Sequence, residues 1–354
     1  MKIETLLPLG KLDPGLRAAE VPLDIAAVAA DARQAEALGY DGVLAAETKD
    51  DPYILMALAA QATSRVGLAT AVAIAFPRSP MVTALSAWSL QKLSHGRFTL
   101  GLGSQVKGHI ERRYGMRWSA PGPWLRDYVG ALRAIWECWQ NETKLEFESA
   151  HYKLSLMVPL FAPAPIEHPH IPVELAAVNP YMCQVAGEVA DGIRAHPIAT
   201  PRYVAETMLP AARKGAAKAG RDLVHFTLCV MPLVATAATR ASLTERVRDV
   251  RARVAFYAST PAYILAFESE GYGEVARTLQ GHARAQRWAE MPDLVSDEML
   301  DAYAVIGTYD EIAAKLRARY GDLATSLEFA IPLSKAGDDS RLRELIDSVR
   351  GASA

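Results

Sequence analysis

The feature that most constrains the fold of this chain is a regular alternation of short apolar runs and amphipathic segments. Several of the runs lack the strict alternation of a half-exposed strand, which is typical of parallel strands covered on both faces. The amphipathic segments between them predict helices. Eight runs in βα order favour a (β/α)8 barrel, the TIM-barrel fold of the α/β class, over an open sheet. The runs are residues 3–9, 40–46, 66–76, 97–103, 171–178, 191–197, 225–234 and 326–331.

Two connections between these runs are longer than a simple helical crossover. They are residues 104–170, after the fourth run, and residues 235–325, after the seventh. The first contains a helical pattern at 123–139 and a hairpin pattern at 143–155. We therefore predict insertions after strands 4 and 7 that cover the mouth of the barrel. Because no linker or internal repeat separates the chain, residues 1–354 are predicted to form a single domain.

Five residues with a capping side chain stand directly before a proline. Such pairs are typical of helix starts, since the side-chain oxygen accepts a free N–H and proline occupies a position that needs none. Most of them follow a predicted strand, which places helix N-termini beside the carboxyl ends of the strands. Active sites of this fold lie at that end. The pairs are Asp51-Pro52, Ser79-Pro80, Asn179-Pro180, Thr200-Pro201 and Thr260-Pro261.

Composition excludes several classes of partner. The chain has 38 basic and 40 acidic residues and a net charge of −2, so no nucleic acid or anionic membrane is expected as a partner. Its three cysteines form no CxxC pair, and Glu4 interrupts the short apolar N-terminus. We expect a reduced, cytoplasmic protein. The pair His168 and His170 lacks further ligand spacing, so no metal site is predicted.

The glycine turn at the end of the fourth run resembles a dinucleotide-binding loop at first sight. A G-x-G-x-x-G fingerprint that begins at Gly101 and Gly103 needs glycine or alanine at position 106, which is Val106. The turn also lies deep in the chain, not in a first βαβ unit. The fingerprint fails, and the glycines need another explanation.

Four long segments carry a resemblance to a known family. Residues 35–80, LQKLSHGRFTLGLGSQ (90–105), IPVELAAVNPYMCQVAGEVADGIRAHPIATPRYV (171–204) and VIGTYDEIAAKL (305–316) resemble the bacterial luciferase-like superfamily. Within it they look like the deazaflavin (coenzyme F420)-dependent oxidoreductases. The resemblance implies a barrel that holds a deazaflavin or flavin ring at its C-terminal mouth, with the glycine turn beside the ring. It also implies a homo-oligomer, usually a dimer.

The resemblance assigns the ends of strands three and four to the ring. Thr70, Ala71 and Val72 would lie against its middle, and relatives carry a non-prolyl cis peptide at the position that matches the Ala71–Val72 bond. Ser104 and Gln105 would close strand four beside the ring. From the residues alone, these positions are also consistent with ordinary buried strand ends.

The junction after strand five is the candidate phosphate site. Its small residues Ala177 and Val178 allow close approach of a ligand, and Asn179 begins a helix that includes Met182. A helix N-terminus offers unpaired N–H groups and a partial positive charge to a phosphate. The resemblance favours the phosphate of the cofactor, whereas an ordinary capped junction is the alternative.

Two residues are the candidate catalytic groups. Many relatives have an acidic residue followed by a proton-carrying histidine at the end of strand two, where this chain has Glu47 and Thr48. Threonine cannot act as a general acid near neutral pH, so Thr48 is assigned to cofactor contact only. Glu47 and His196 are predicted to be catalytic, with Lys49 also available. The alternatives are an ion pair for Glu47 and a structural role for His196.

Two further residues are assigned to the substrate pocket. Tyr53 follows the second strand closely, and Val106 stands where some sugar-phosphate-oxidising relatives carry glutamate. A valine at this place argues for a more apolar substrate.

The predicted function is hydride transfer between coenzyme F420 and an organic substrate. One alternative is an FMN-dependent monooxygenase of the same superfamily, which uses reduced FMN and dioxygen. Another is a non-catalytic deazaflavin-binding protein, which the departure at Thr48 leaves open.

Overall fold

The computed structural model describes residues 1–9, 23–331 and 338–351, and its centre is a closed barrel of eight parallel strands. Each strand pairs with the next along the chain, and the last returns to the first, with Ser326 opposite Lys2. All eight predicted runs overlap a barrel strand, so the (β/α)8 fold is confirmed. The strands are β1 (Lys2–Leu6), β2 (Gly42–Ala45), β3 (Gly67–Thr70), β4 (Phe98–Gly103), β5 (Val173–Ala177), β6 (Gly192–Ala195), β7 (Thr227–Val230) and β8 (Ser326–Glu328).

Helices cover the outside of the barrel and bury the apolar side chains that face the strands. No helix in the described residues is long and apolar enough to cross a membrane. A π-helical turn, Val204–Met208, joins two of the helical segments. The α-helices are Val28–Leu38, Pro52–Ala62, Pro80–Leu93, Lys107–Arg112, Pro121–Gln140, Pro180–Val189, Pro201–Tyr203, Leu209–Lys218, Arg240–Ala258, Ile264–Glu268, Gly273–Arg284, Asp297–Tyr303, Tyr309–Tyr320 and Asp338–Arg350.

Three of the five predicted proline junctions carry the expected cap. The side chains of Asp51, Ser79 and Thr200 each accept an N–H from the first turn that follows. The expectation is wrong for Asn179 and Thr260, whose side chains accept no such hydrogen bond. The Asn179 amide instead donates across the barrel mouth to a carbonyl of the second insertion, a partner that local sequence does not reveal.

Both predicted insertions are present. The insertion after β4 contains the helix Pro121–Gln140 and an antiparallel hairpin of Phe147–Glu148 with Lys153–Leu154. The insertion after β7 begins with a strand, Leu233–Ala237, that pairs with Ala304–Thr308 outside the barrel. The seventh apolar run thus ends in a separate two-stranded sheet, which its composition did not distinguish from the barrel strand.

Candidate active site

A cavity of about 760 Å³ opens at the carboxyl ends of the barrel strands. Its wall comes from the chain that follows β2 to β7 and from both insertions. The volume lies within the usual range of small-molecule sites. Eleven of the fourteen predicted site residues line it: Glu47, Ala71, Val72, Ser104, Gln105, Val106, Ala177, Val178, Asn179, Met182 and His196.

Three predicted residues lie outside the lining. Thr70 is fully buried, and its hydroxyl donates to the Gly101 carbonyl at 2.7 Å. Tyr53 is buried under Arg78, whose guanidinium carbon lies 5.2 Å from the ring centroid. Thr48 is exposed, and its carbonyl accepts a hydrogen bond from Arg113 at 3.0 Å. Thr70 and Tyr53 are therefore buried in the fold beside the cavity, whereas the Thr48 side chain is exposed outside it.

The wall beside β3 is a bulge. The Ala71–Val72 peptide bond is cis, as the resemblance implied, and the strand then resumes as Ala73–Ile74, which pairs with the end of β4. A Cβ on Gly101 would lie 1.9 Å from the Thr70 carbonyl oxygen, and one on Gly103 would lie 2.7 Å from the Val72 side chain. The two glycines therefore allow the close approach of β4 to the bulge, and no bound phosphate is needed to explain them.

Both carboxylate oxygens of Glu47 have hydrogen-bond or ionic partners. Its Oε2 atom accepts the Ile74 N–H at 2.7 Å and pairs with the Nη1 atom of Arg78 at 2.7 Å. Its Oε1 atom accepts from the same guanidinium at 2.9 Å and from the Tyr114 hydroxyl at 3.5 Å. Only 8% of the side chain is exposed. The ion pair named as the alternative for Glu47 is thus present, and the carboxylate links the end of β2 to the strand that follows the bulge.

His196 faces the cavity between two tyrosines of the second insertion. Its ring centroid lies 4.7 Å from that of Tyr257 and 4.4 Å from that of Tyr263. Burial lowers the pKa of His196 to about 3, because desolvation penalises the charged ring. The Nδ1 atom accepts the Ile198 N–H at 3.4 Å, so the proton of the neutral ring resides on Nε2. His196 is therefore a neutral hydrogen-bond donor through Nε2, and both a weak base and a poor cationic acid.

Asn179 has an unused acceptor in the cavity wall. Its Nδ2 atom donates to the Ala262 carbonyl at 3.1 Å, while its buried Oδ1 atom has no partner among the described residues. An unpaired buried carbonyl oxygen is costly unless a ligand or water donates to it. This is the observation in the wall that most directly indicates a polar ligand.

A buried ionic cluster lies beneath the cavity. Arg194, 5% exposed, places its Nη1 atom 3.1 Å from Glu4 and its Nε atom 2.7 Å from Glu174. Thr227 and Cys229 also donate to Glu174. Burial alone would lower the pKa of Arg194, but the two carboxylates outweigh it and raise the pKa. Since Arg194 also lines the cavity, it brings a fixed positive charge to the cavity floor.

A family model described as luciferase-like monooxygenase matches residues 3–326. The chain belongs to the luciferase-like family. An uncharacterized protein of Mycobacterium tuberculosis is 42% identical to this luciferase-like chain over 299 residues, which cover 84% of the chain and 88% of the relative. A putative coenzyme F420-dependent oxidoreductase of the same organism is 28% identical over 300 residues, 80% of this chain and 84% of that one.

The fold of the luciferase-like chain also matches a solved enzyme. The coenzyme F420-dependent tetrahydromethanopterin reductase from Methanopyrus kandleri superposes with a TM-score of 0.75 over 98% of each chain, at 18% identity. At this identity the likeness shows the fold alone.

Several residues of this luciferase-like site were missed by sequence reasoning. Arg194 and Glu174 stand inside apolar strand runs, where a charge was itself a signal of an inward-facing ionic group. Lys107, Trp118, Tyr257 and Tyr263 reach the cavity from the insertions. No local pattern marks these four, since their position depends on how the insertions fold over the mouth.

Proposed function

We propose that the protein transfers a hydride between coenzyme F420 and a small, largely apolar organic substrate in this cavity. The observation that carries the proposal is that eleven residues assigned from separate strand ends meet in one cavity of suitable volume. The 28% identical relative named as a putative F420-dependent oxidoreductase supports the choice of cofactor.

The wall fits a tricyclic ring with a polar side chain. Ala71, Val72, Ala177 and Val178 offer apolar surface, and the Asn179 Oδ1 atom would accept a hydrogen bond from a cofactor hydroxyl. The bound cofactor would supply the ring carbon that accepts or gives the hydride, and the protein would supply orientation and exclusion of water.

A cation and a helix end are available for the phosphate. Lys107 lines the cavity, and its ammonium is only loosely paired with Glu111, at 3.9 Å. The helix Pro180–Val189 begins in the wall beside Asn179, and its first-turn N–H groups lack intrahelical partners. We assign the phosphate to the region between these two elements.

His196 and Arg194 are the groups that would act on the substrate end. The neutral His196 ring would donate a hydrogen bond from Nε2 to a carbonyl or hydroxyl oxygen of the substrate. Arg194 would offer guanidinium N–H groups at the cavity floor, where Glu4 and Glu174 balance its charge. Glu47 would hold the bulge in position through Ile74 and Arg78, and its direct participation in catalysis stays a prediction.

A monooxygenase that uses FMN and dioxygen is the second candidate. The description of the matching family model favours it, because that model is named for monooxygenases. FMN would occupy the same cavity as F420, so the two candidate functions differ in which cofactor the cavity wall binds.

Parallel titrations with F420 and FMN, followed by cofactor fluorescence, test the proposal. Tight binding of F420 and weak binding of FMN, with substrate-dependent change of deazaflavin absorbance, is the expected result. The reverse preference, with substrate-dependent oxygen uptake, would replace the proposal by the monooxygenase. Tight F420 binding with no hydride transfer from any tested alcohol or to any tested enone or imine would indicate a binding protein. The cytoplasmic location and the homodimer both stay predictions. Analytical sedimentation tests the number of subunits.

A further inference from the structure

A second cavity, of about 640 Å³, lies beside the insertion that follows β4. It shares one lining residue, Trp118, with the cavity at the barrel mouth. Three aromatic side chains, Phe76, Trp118 and Trp124, form much of its wall, and Ser119 and His151 also line it. Its volume suits a small molecule, and the proposed hydride transfer gives it no role.

Ser119 and His151 line this cavity, and together with Asp127, which lies outside the lining, they form a continuous hydrogen-bonded chain. The Ser119 Oγ atom lies 3.0 Å from the His151 Nε2 atom, and the His151 Nδ1 atom lies 2.7 Å from the Asp127 Oδ2 atom. An ionised Asp127 can only accept, so Nδ1 carries the ring proton and Nε2 is left as an acceptor. The Ser119 hydroxyl therefore donates to Nε2. This is the order of roles that activates a serine nucleophile.

The imidazole is fixed in place by packing. Its ring lies nearly parallel to Trp124, with 5.9 Å between the centroids, and Trp124 stacks on Phe76 at 3.7 Å. The Trp124 indole N–H donates to the Tyr152 hydroxyl at 2.7 Å, next to His151 in the hairpin. The side chains of His151 and Asp127 are each 18% exposed, so both are largely shielded but still accessible.

Donors for a developing oxyanion are present beside the hydroxyl. The backbone N–H groups of Ser119 and Ala120 donate to no backbone acceptor in the described ranges. Arg117 lines the same cavity, is exposed, and forms no ion pair with any residue that the structure describes. Free N–H groups at and next to the nucleophile are what acyl transfer requires at this point.

We propose that this cavity is a second, hydrolytic site, with Ser119 as nucleophile, that acts on carboxylic esters with an apolar or aromatic acyl group. The Ser119 oxygen would bond to the ester carbonyl carbon as its proton passes to His151 Nε2. Breakage of the ester C–O bond would release the alcohol, which takes that proton. Water would then add to the acyl-serine by the same proton transfers and release the carboxylic acid and free Ser119.

Hydrolysis of 4-nitrophenyl butyrate by the full chain, without F420 or FMN, is the first test. We expect Ser119→Ala and Asp127→Asn to lower the rate by at least about 100-fold, the usual scale for loss of a nucleophile or of its oriented base. Ser64→Ala removes a hydroxyl far from both cavities and is expected to leave the rate unchanged. Equal rates for the unmodified protein and a folded Ser119→Ala variant would overturn the proposal.

Covalent labelling keeps the test decisive if a variant does not fold. The unmodified protein is treated with a fluorophosphonate, and the labelled residue is located by peptide mass. Label on Ser119 supports the proposal. Absence of label on Ser119 overturns it and would leave the three residues as a clamp that fastens the hairpin to the helix Pro121–Gln140.

Discussion

The Nη1 atom of Arg78 lies 2.7 Å from the Oε2 atom of Glu47, and the same carboxylate oxygen accepts the Ile74 N–H. Arg78 also places its Nη2 atom 3.0 Å from Asp51. Burial opposes the charge of Arg78, but hydrogen bonds and attraction from Glu47 and Asp51 outweigh it and raise its pKa. One guanidinium thus joins the end of β2, the cap of the next helix and the strand beyond the bulge.

Replacement of Glu47 by glutamine should loosen this junction. Glu47→Gln keeps the shape but removes the charge that Arg78 requires, and we expect the free energy of unfolding to fall by about 2 kcal/mol. Turnover should fall further than cofactor affinity, because the bulge would lose its support. Chemical denaturation and steady-state kinetics measure the two effects. Glu206→Gln, which breaks an exposed pair with Arg202, is the control, and an equal loss in both variants would contradict the assignment.

Removal of Arg194 should leave two buried carboxylates without a positive partner. Arg194→Met is expected to cost about 3–5 kcal/mol at pH 7, since Glu4 and Glu174 would remain without a cation. Denaturant unfolding at pH 7 measures this. The double variant with Glu174→Gln should recover part of the loss, and no recovery would show that the cluster is not coupled.

The depressed pKa of His196 predicts a pH-dependent stability. The folded value of about 3 lies below the ordinary value of 6.5, so the unfolded chain binds the proton more readily. The stability from the neutral ring is complete above about pH 6.5 and is lost as the pH falls toward 3. Between pH 7 and pH 5 the unmodified protein should lose about 1–2 kcal/mol more than His196→Gln. Parallel slopes for the two proteins would show that burial does not disfavour the charged ring.

Substitutions at Asn179 and Thr200 test ligand binding and helix capping separately. Asn179→Ala removes both the free acceptor in the cavity wall and the donor to the Ala262 carbonyl, so we expect about tenfold weaker F420 binding and a loss of about 1 kcal/mol of stability. Thr200→Ala removes a true cap and should cost about 1 kcal/mol of stability without a change in affinity. Fluorescence titration and thermal unfolding measure both. An Asn179→Ala variant that binds F420 normally would remove this residue from the site.

Gly103 tests the close approach of β4 to the bulge. A Cβ there would lie 2.7 Å from Val72, so Gly103→Ala should displace Val72, cost about 1–3 kcal/mol and weaken cofactor binding. The same substitution at Gly281, an exposed helical position with open space around it, should be neutral or stabilising by up to about 1 kcal/mol. A neutral Gly103→Ala variant would show that the bulge tolerates movement.

The sequence alone was enough for the barrel and for much of the cavity wall. Apolar runs and proline junctions are local signals, because strand burial and helix capping act within a few residues along the chain. The carboxyl ends of parallel strands in a closed barrel meet at one edge, so Ala71, Ser104 and Ala177 could be placed together without coordinates. Their assignment as cofactor contacts came from the resemblance and not from periodicity, and it stays a prediction.

Only the tertiary structure decided which polar groups meet. Arg194 contacts Glu4, 190 residues away along the chain, because closure of the barrel brings the side chains of β1 and β6 together in its interior. Asn179 turns from its expected cap to Ala262 because the second insertion folds back over the barrel mouth. His151 reaches Asp127 because the hairpin lies against the helix Pro121–Gln140 within the first insertion. A local pattern specifies the direction in which a side chain points, whereas its partner depends on long-range packing. The fold and much of the cavity wall could therefore be predicted from the sequence. The charge network and the second cavity could not.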